Sequence, residues 1–222
     1  MTGHRSEPQL CLQFVSLGDA SASINRLSIA LQAAPFSSVI VSGQAGAPAK
    51  ASLARPLIEL IQSKNFAALV VGDPGTAREL GADGVHVAWS PDLHTAYAQV
   101  REALGARFIV GADAGRSRHD AMTLAEAGAD YIGFGIPPHV EDRVTAASRR
   151  LDLTAWWAEI FEVPVIALDV ETAHDVSLLS AANADFIGFS LSHGLSGPEC
   201  EAHVRSMASA RSNIAPVSHA TA

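Results

Sequence analysis

The sequence predicts an α/β protein folded as a single (β/α)8 TIM barrel, and three observations lead there. Short apolar, β-rich runs alternate along the 222 residues with stretches whose apolar residues recur every three to four positions. Eight such runs are found. One helix-to-strand phrase repeats, as Gly81-Ala82-Asp83, Gly128-Ala129-Asp130 and Asn183-Ala184-Asp185, each directly ahead of an apolar run.

The strand candidates, in order, are Leu10 to Leu17, Ser38 to Ser42, Ala67 to Gly72, Gly84 to Val87, Phe108 to Ala112, Tyr131 to Gly135, Val163 to Leu168 and Phe186 to Ser190. Several are apolar on both faces, as parallel strands must be when side chains cover one face and helices the other. Between them the period suggests helices over Ala22 to Ala33, Leu53 to Lys64, Leu93 to Leu104, Asp120 to Ala127, Leu153 to Ile160, Ala173 to Ala181 and Cys200 to Ala210. A very short helix fits Thr76 to Leu80. In the repeated phrase, Gly or Asn accepts the left-handed conformation that ends a helix before a short loop enters the sheet. The phrase therefore marks the bottom of a barrel. Its copies lie 47 and 55 residues apart, room for two βα units each time. An open doubly wound sheet is the alternative, against which stand the eight strands and the lack of a GxGxxG after the first. The expected domain is the whole chain, ordered from about residue 10 to 210 with a frayed tail over 211–222, and the longest loop on the functional face is Ile136 to Arg150.

Composition narrows the function classes. A net charge of -8 repels phosphate backbones, so nucleic acid is not an expected partner. Apolar stretches such as Val163 to Leu168 fall far short of the roughly 20 residues that cross a bilayer. Residues 1 to 9 carry no apolar segment of signal-peptide length, and a cytoplasmic location is the expectation. Cys11 and Cys200 stand far apart with no CxxC, which points to neither a disulfide framework nor a zinc site.

In a closed barrel the residues just past each strand's C-terminal end converge on one mouth, where catalytic groups gather. That mouth would receive Ser42 and Gln44, Asp73, Trp89 with Asp92, Asp113, His139 to Arg143, Asp169 with Glu171, and finally Ser190, Ser192 and His193. Four aspartates on one rim repel each other unless a divalent cation or an arginine lies among them. Each has a plain alternative. Asp73 in GDPGT and Asp92 after Ser90-Pro91 could simply cap helices, and Asp113 could serve a turn. His86, on the strand GVHV, reads as a core histidine. Asp169, directly after PVIAL, has little local structural reason to be there. The segment SLSHGLSG, with Ser190, Ser192, His193 and Gly194, precedes the last helix with hydroxyls and glycines. It suits an anion site on free backbone N–H groups, or a plain helix cap. Trp156-Trp157 falls within a helix and reads as packing.

Three strings, LVVGDPGTARELGADGVHV, then GADYIGFG, then VPVIALD, resemble the thiamine phosphate synthase and TenI family in order and spacing over most of the chain. The resemblance implies a (β/α)8 barrel that is a homo-oligomer. It also implies Mg2+-assisted joining of a pyrimidine methyl diphosphate to a thiazole phosphate, with release of diphosphate, or in TenI proteins isomerisation of the thiazole. Carried over, it makes Asp73 and Asp92 the metal-side groups and lets Arg143 stand in for the loop lysine, and the rim positions of Asp113 and Asp169 add them to Arg143 as catalytic candidates. By their places on the mouth, Gln44, His139, Ser190, Ser192, His193 and Gly194 are the candidates for contacting the phosphorylated small-molecule substrate that the resemblance implies.

Several motifs depart from the family's pattern. The QLRxK after strand two reads Ile40-Val41-Ser42-Gly43-Gln44, without either cation, and the Asn-Asp pair after strand three reads Gly72-Asp73. The HxGQxD element reads His86 to Asp92 with its acid one residue late, and the serine after strand five gives way to Ala112-Asp113-Ala114. The PTxTK loop reads His139-Val140-Glu141-Asp142-Arg143, the Gly-Gly after strand seven reads Asp169-Val170, and the TenI histidine falls at Gly115 or Arg116. Three readings follow. One is a synthase with a reduced diphosphate site. Another is a barrel that has lost catalysis and binds a ligand or partner. The third is an enzyme for a phosphate-free substrate, working through Asp113, His139, Glu141 and Asp169.

Overall fold

A computed structural model describes residues 7–16, 18–137, 139–192 and 194–212. Eight parallel strands close in sequence order into one barrel: β1 (Gln9–Val15), β2 (Ser38–Ser42), β3 (Ala67–Val71), β4 (Gly84–Val87), β5 (Ile109–Asp113), β6 (Ile132–Phe134), β7 (Val165–Val170) and β8 (Phe186–Ser190). A helix follows each: α1 (Ala20–Ala33), α2 (Ala51–Gln62), α3 (Pro74–Leu80), α4 (Leu93–Leu104), α5 (Arg118–Glu126), α6 (Arg143–Ile160), α7 (Ala173–Ala181) and α8 (Gly197–Ala210). The closing contact is β1 on β8, with Gln13 level with Ser190. The single (β/α)8 barrel expected from the sequence is the fold, and the open sheet is set aside.

The repeated phrase lies at the bottom, as its residues dictate. Gly81, Gly128 and Asn183 take φ values of 68°, 86° and 60°, the left-handed turn that ends α3, α5 and α7. The following alanine then donates its N–H back to the last helical turn, from Ala82 to Ala77, Ala129 to Leu124 and Ala184 to Leu179, at 3.0 to 3.1 Å. The aspartate adds what composition alone did not reveal. Its carboxylate accepts the N–H of the preceding strand, Ala68 for Asp83 (2.7 Å), Val110 for Asp130 (2.7 Å) and Val165 for Asp185 (2.9 Å). Each phrase thus ends a helix and staples the next strand to its neighbour. Asn65, with φ 60°, ends α2 in the same way but is followed by Phe66-Ala67, so the turn is kept without the carboxylate.

Between sheet and helices runs one continuous apolar layer, in which Leu57, Ile58 and Ile61 of α2 and Leu27 of α1 are fully buried. Trp157 is fully buried, stacked on Phe161 at 4.0 Å and edge-on to Phe134, so the Trp pair serves packing as expected. Two strand limits move in ways that matter. β5 runs one residue further than expected, making Asp113 its last residue, and β7 extends through Asp169 to Val170 across a register shift against β8.

The expected loop from Ile136 to Arg150 is a correction. Its second half is helix, because Asp142 caps α6 by accepting the N–H of Thr145 at 3.0 Å. Ala146, Arg150 and Leu153 then form the buried face that continues to Trp157. The loop proper ends at Asp142. The strand end at Leu17, the substrate residue His193 and the frayed tail over 213–222 fall outside the described residues. No helix among the described residues is long and apolar enough to cross a membrane.

Candidate functional site

The strands' C-terminal ends bring most of the expected residues to one mouth, at whose centre two carboxylates are built in. Asp113, the last residue of β5, is 8% exposed. Its Oδ1 accepts the N–H of Gly115 at 2.8 Å and that of Gly135 at 2.9 Å, while its Oδ2 has no hydrogen-bond partner among the described residues. Asp169 sits opposite. Its Oδ1 accepts from Gln13 Nε2 at 3.0 Å and its Oδ2 accepts the N–H of Ile136 at 2.8 Å. Gln13 completes the clamp by accepting the Asp169 N–H at 2.8 Å.

Gly135 lets the two acids approach. A Cβ built there would lie 2.5 Å from Asp113 Oδ2 and 3.0 Å from Asp169 Oδ2, which holds the two oxygens within about 5.5 Å of each other. Burial first, and the neighbouring Asp169 second, push the Asp113 carboxyl up to about 7, against the pull of its two backbone N–H bonds. Near neutral pH this group can accept or give up a proton, whereas an ordinary aspartate cannot.

Asp169 is held against local preference. Its φ of 56° is left-handed, a conformation that disfavours a side chain and is found where a site over-determines it. Three groups do so: Gln13 from β1, the Ile136 N–H, and Arg150 from α6. Arg150 is 2% exposed and donates to the carbonyls of Leu168 (2.8 Å) and Asp169 (2.6 Å). Gln13 and Arg150 were not singled out in the sequence. Gln13 shares its phase with inward-facing Cys11 on β1, a polar residue in an apolar run and a readable signal; Arg150 inside α6 carried none.

The other expected residues are less concentrated. Asp73 is occupied locally: its Oδ1 accepts the Thr76 N–H at 3.0 Å and its Oδ2 the Thr76 hydroxyl at 2.8 Å, which lowers its pKa and caps α3. Asp92 stands at the N-cap position of α4, exposed and without a side-chain cap bond. Arg143 reaches Glu171 through Nε (3.1 Å) and Nη2 (2.6 Å), and donates to the Ile136 carbonyl through Nη1. The ring of His139 lies 5.1 Å from that of Trp89, which in turn covers Gly115, where a Cβ would meet Trp89 Cδ1 at 2.7 Å. Gln44 begins an exposed turn after β2, Ser190 is the exposed last residue of β8, and Ser192 and Gly194 are exposed beyond it. His86 is buried in the core with Nδ1 2.8 Å from the Tyr131 hydroxyl, as the plain reading held.

The fit to a magnesium ion turns on the donors present. Asp73 and Asp92 offer hard carboxylate oxygens after the neighbouring strands β3 and β4, and neither is in an ion pair. Among the described residues no three His, Cys, Asp or Glu side chains gather as a metal-holding group, so substrate oxygens would have to complete the shell.

Comparison with known proteins places the chain. A family model described as thiamine monophosphate synthase matches residues 15–191. The thiamine-phosphate synthase of Rhodospirillum centenum is 37% identical over 130 residues, covering 58% of this chain and 60% of that protein. The same enzyme from Erythrobacter litoralis is 34% identical and covers 63% and 65%, so the chain spans less than two thirds of either relative. That from Hyphomonas neptunium is 31% identical and covers 78% and 80%. A solved thiamine phosphate pyrophosphorylase from Pyrococcus furiosus superposes with a TM-score of 0.71 at 16% identity, over 93% of this chain and 96% of that one, which speaks to the fold alone. The chain belongs to the thiamine monophosphate synthase family.

Proposed function

We propose that the chain acts in thiamine biosynthesis as a thiamine phosphate synthase-type transferase, joining pyrimidine methyl diphosphate to thiazole phosphate with release of diphosphate. The reading is carried by the family match from residue 15 to 191, which begins at the end of β1 and ends one residue past β8, and so takes in the mouth loops after β1 to β7. In it, Asp73 and Asp92 are the residues that would hold Mg2+, an ion that supplies positive charge to the leaving diphosphate. Ser190, Ser192 and Gly194, with His193, receive phosphate oxygens ahead of α8, and Gln44 and His139 contact substrate from the rim. Arg143 contributes a cation once it turns from Glu171. The Asp113 carboxyl, in its protonated form, donates a hydrogen bond into the mouth from Oδ2, while Asp169 stays clamped by Gln13. The expected homo-oligomer and cytoplasmic setting belong to this reading, and light scattering of the purified chain tests the first.

The experiment is an assay with both substrates and Mg2+, read as diphosphate release and thiamine phosphate formed. Turnover that falls at least about tenfold in Asp73→Asn supports the reading. No turnover with both substrates present, under conditions where an authentic synthase works, sinks it.

One specific observation favours a second reading. The mouth's centre holds two carboxylates, and Arg143, the family's candidate cation after β6, is paired with Glu171. On that reading the barrel takes a small phosphate-free molecule, with Asp113 as acid–base group. Calorimetric titration that gives no heat with thiazole phosphate, thiamine phosphate or diphosphate would select it over the first.

A further inference from the structure

The bottom of the barrel is hollow, and the sequence of its first layer explains why. In a packed barrel, large branched residues fill each layer of the interior. Here two adjacent strands begin with small residues that line the interior, Ser38 on β2 and Ala67 on β3. The result is a cavity of about 360 Å3 inside the strand ring, opening at the end opposite the mouth. At ~30 Å3 of liquid volume per water it is an order of magnitude larger than a single-water void.

Its walls define what it can hold. Above the small layer stand Cys11, Ile40, Leu69 and Ile166, an apolar cluster separate from the main core. Tyr131 closes the top: its ring lies against Gly111, where a Cβ would meet it at 2.2 Å, and its hydroxyl is 2.8 Å from His86 Nδ1. The cavity is thus walled off from the two carboxylates of the mouth. Among the described residues no cationic side chain lines it, and the charged group at its edge is Asp130, already bonded to the Val110 N–H and to Arg101. Cys11 is neutral, since burial pushes its thiol up to about 12. Polar groups sit low, at Ser38 and at Gln9 by the entrance. Such a pocket repels anions, leaves water poorly bonded and rewards apolar area.

We propose that this lower cavity is a second ligand site, distinct from the mouth, which takes an uncharged one- or two-ring apolar molecule with a single hydroxyl placed toward Ser38 and Gln9. The site is separate from the mouth, and the two share only the Tyr131 partition, whose hydroxyl burial and, in part, the charge of Asp113 keep protonated.

The test uses the full chain and 2-naphthol as the probe, with 2-naphthoate as its anionic counterpart. Calorimetry is expected to show one site per chain for 2-naphthol and binding at least about tenfold weaker for 2-naphthoate. Filling the void with Ala67→Leu, or separately with Ser38→Val, is expected to weaken 2-naphthol by a similar factor. In methyl NMR of the unaltered chain, Leu69 and Ile166 should shift on binding while Leu178, on the outer ring, does not. Absence of saturable binding up to the solubility of 2-naphthol overturns the proposal. So does binding that moves Leu178 and leaves Leu69 and Ile166 in place. The unaltered-chain NMR decides even if a filling variant fails to fold, and none of these readouts depends on turnover.

Discussion

The substitution Asp113→Asn isolates the most perturbed carboxyl of the mouth, and its effect can be worked out with sign. The carboxyl's pKa rises from 3.8 to about 7 on folding. Between those values the unfolded chain has lost the proton and the folded chain keeps it, so stability falls as pH rises, by about 1.36 kcal/mol per pH unit. Below about 4 the group costs nothing. Above 7 the cost levels off on the order of 4 kcal/mol. Another group hides this slope in the unaltered protein. Burial lowers His86 from 6.5 to about 4, so its contribution to stability rises with pH through the same interval. The two nearly cancel between pH 4 and 6.5, and a raw stability profile is expected to look flat there. The difference between variant and parent removes His86. Asn keeps the Oδ1 that accepts the Gly115 and Gly135 N–H groups and has no titration. Urea midpoints at half-unit steps from pH 4 to 8.5 should show parent and variant close at pH 4 and diverging steadily to pH 7. Above that the variant should be the more stable by about 3 to 4 kcal/mol. Parallel curves across the whole range would refute the assignment of Asp113 as a buried, proton-holding carboxyl.

Three further outcomes follow from the same geometry. Asp169→Asn removes the charge that helps raise Asp113, so the Asp113 carboxyl carbon, followed by NMR, should titrate at a lower pH than in the parent; an unchanged midpoint breaks the pairing. Gly135→Ala pushes a methyl group to 2.5 Å from Asp113 Oδ2 and should destabilise by about 1 to 3 kcal/mol, measured by urea denaturation, with a neutral result placing the acids further apart than described. Arg150→Met strips the donors from the Leu168 and Asp169 carbonyls and should destabilise by roughly 3 kcal/mol; a loss below about 0.5 kcal/mol would mean that Asp169 holds its left-handed turn without help.

The barrel was legible in the sequence because its signals are local. Alternation of apolar runs sets strand against helix, and Gly81, Gly128 and Asn183 end helices through a backbone conformation that residue type alone predicts. The helical second half of the segment from Ile136 to Arg150 is hidden in the sequence for an equally local reason. The helix there starts on the Asp142 cap with Val144, Thr145 and Ser148 facing out, and its buried stripe begins only at Ala146 and Arg150. A charged residue on the buried face breaks the apolar period that marks a helix. At the mouth, position along the chain was enough to place Asp113 and Asp169 on one rim. Their mutual approach was not readable, since it depends on Gly135 having no side chain and on Gln13 arriving from a strand 156 residues away. Asp73 is the opposite case, legible from its short motif: GDPGT offers a helix cap, and the side chain caps α3.

The mouth of this barrel therefore separates two roles that its family membership alone would merge. The loops after β3, β4 and β8 present exposed oxygens and backbone toward solvent, with Asp92, Ser190 and Ser192 uncommitted to any hydrogen bond from their side chains among the described residues. The floor beneath them is committed, with Asp169 fixed by three elements and Asp113 by two backbone N–H groups. An anionic substrate approaching from the rim meets a floor whose charge depends on pH. Below about 7 Asp113 carries its proton and the pair presents one negative charge and one donor; above it the pair presents two charges within about 5.5 Å. Affinity for diphosphate should accordingly fall as pH rises through 7, and that fall should vanish in Asp113→Asn. Ordinary diphosphate ionisation strengthens binding to a cationic site over the same interval, so the direction of the trend, measured by calorimetry in parent and variant, tells a carboxylate floor from a cationic one.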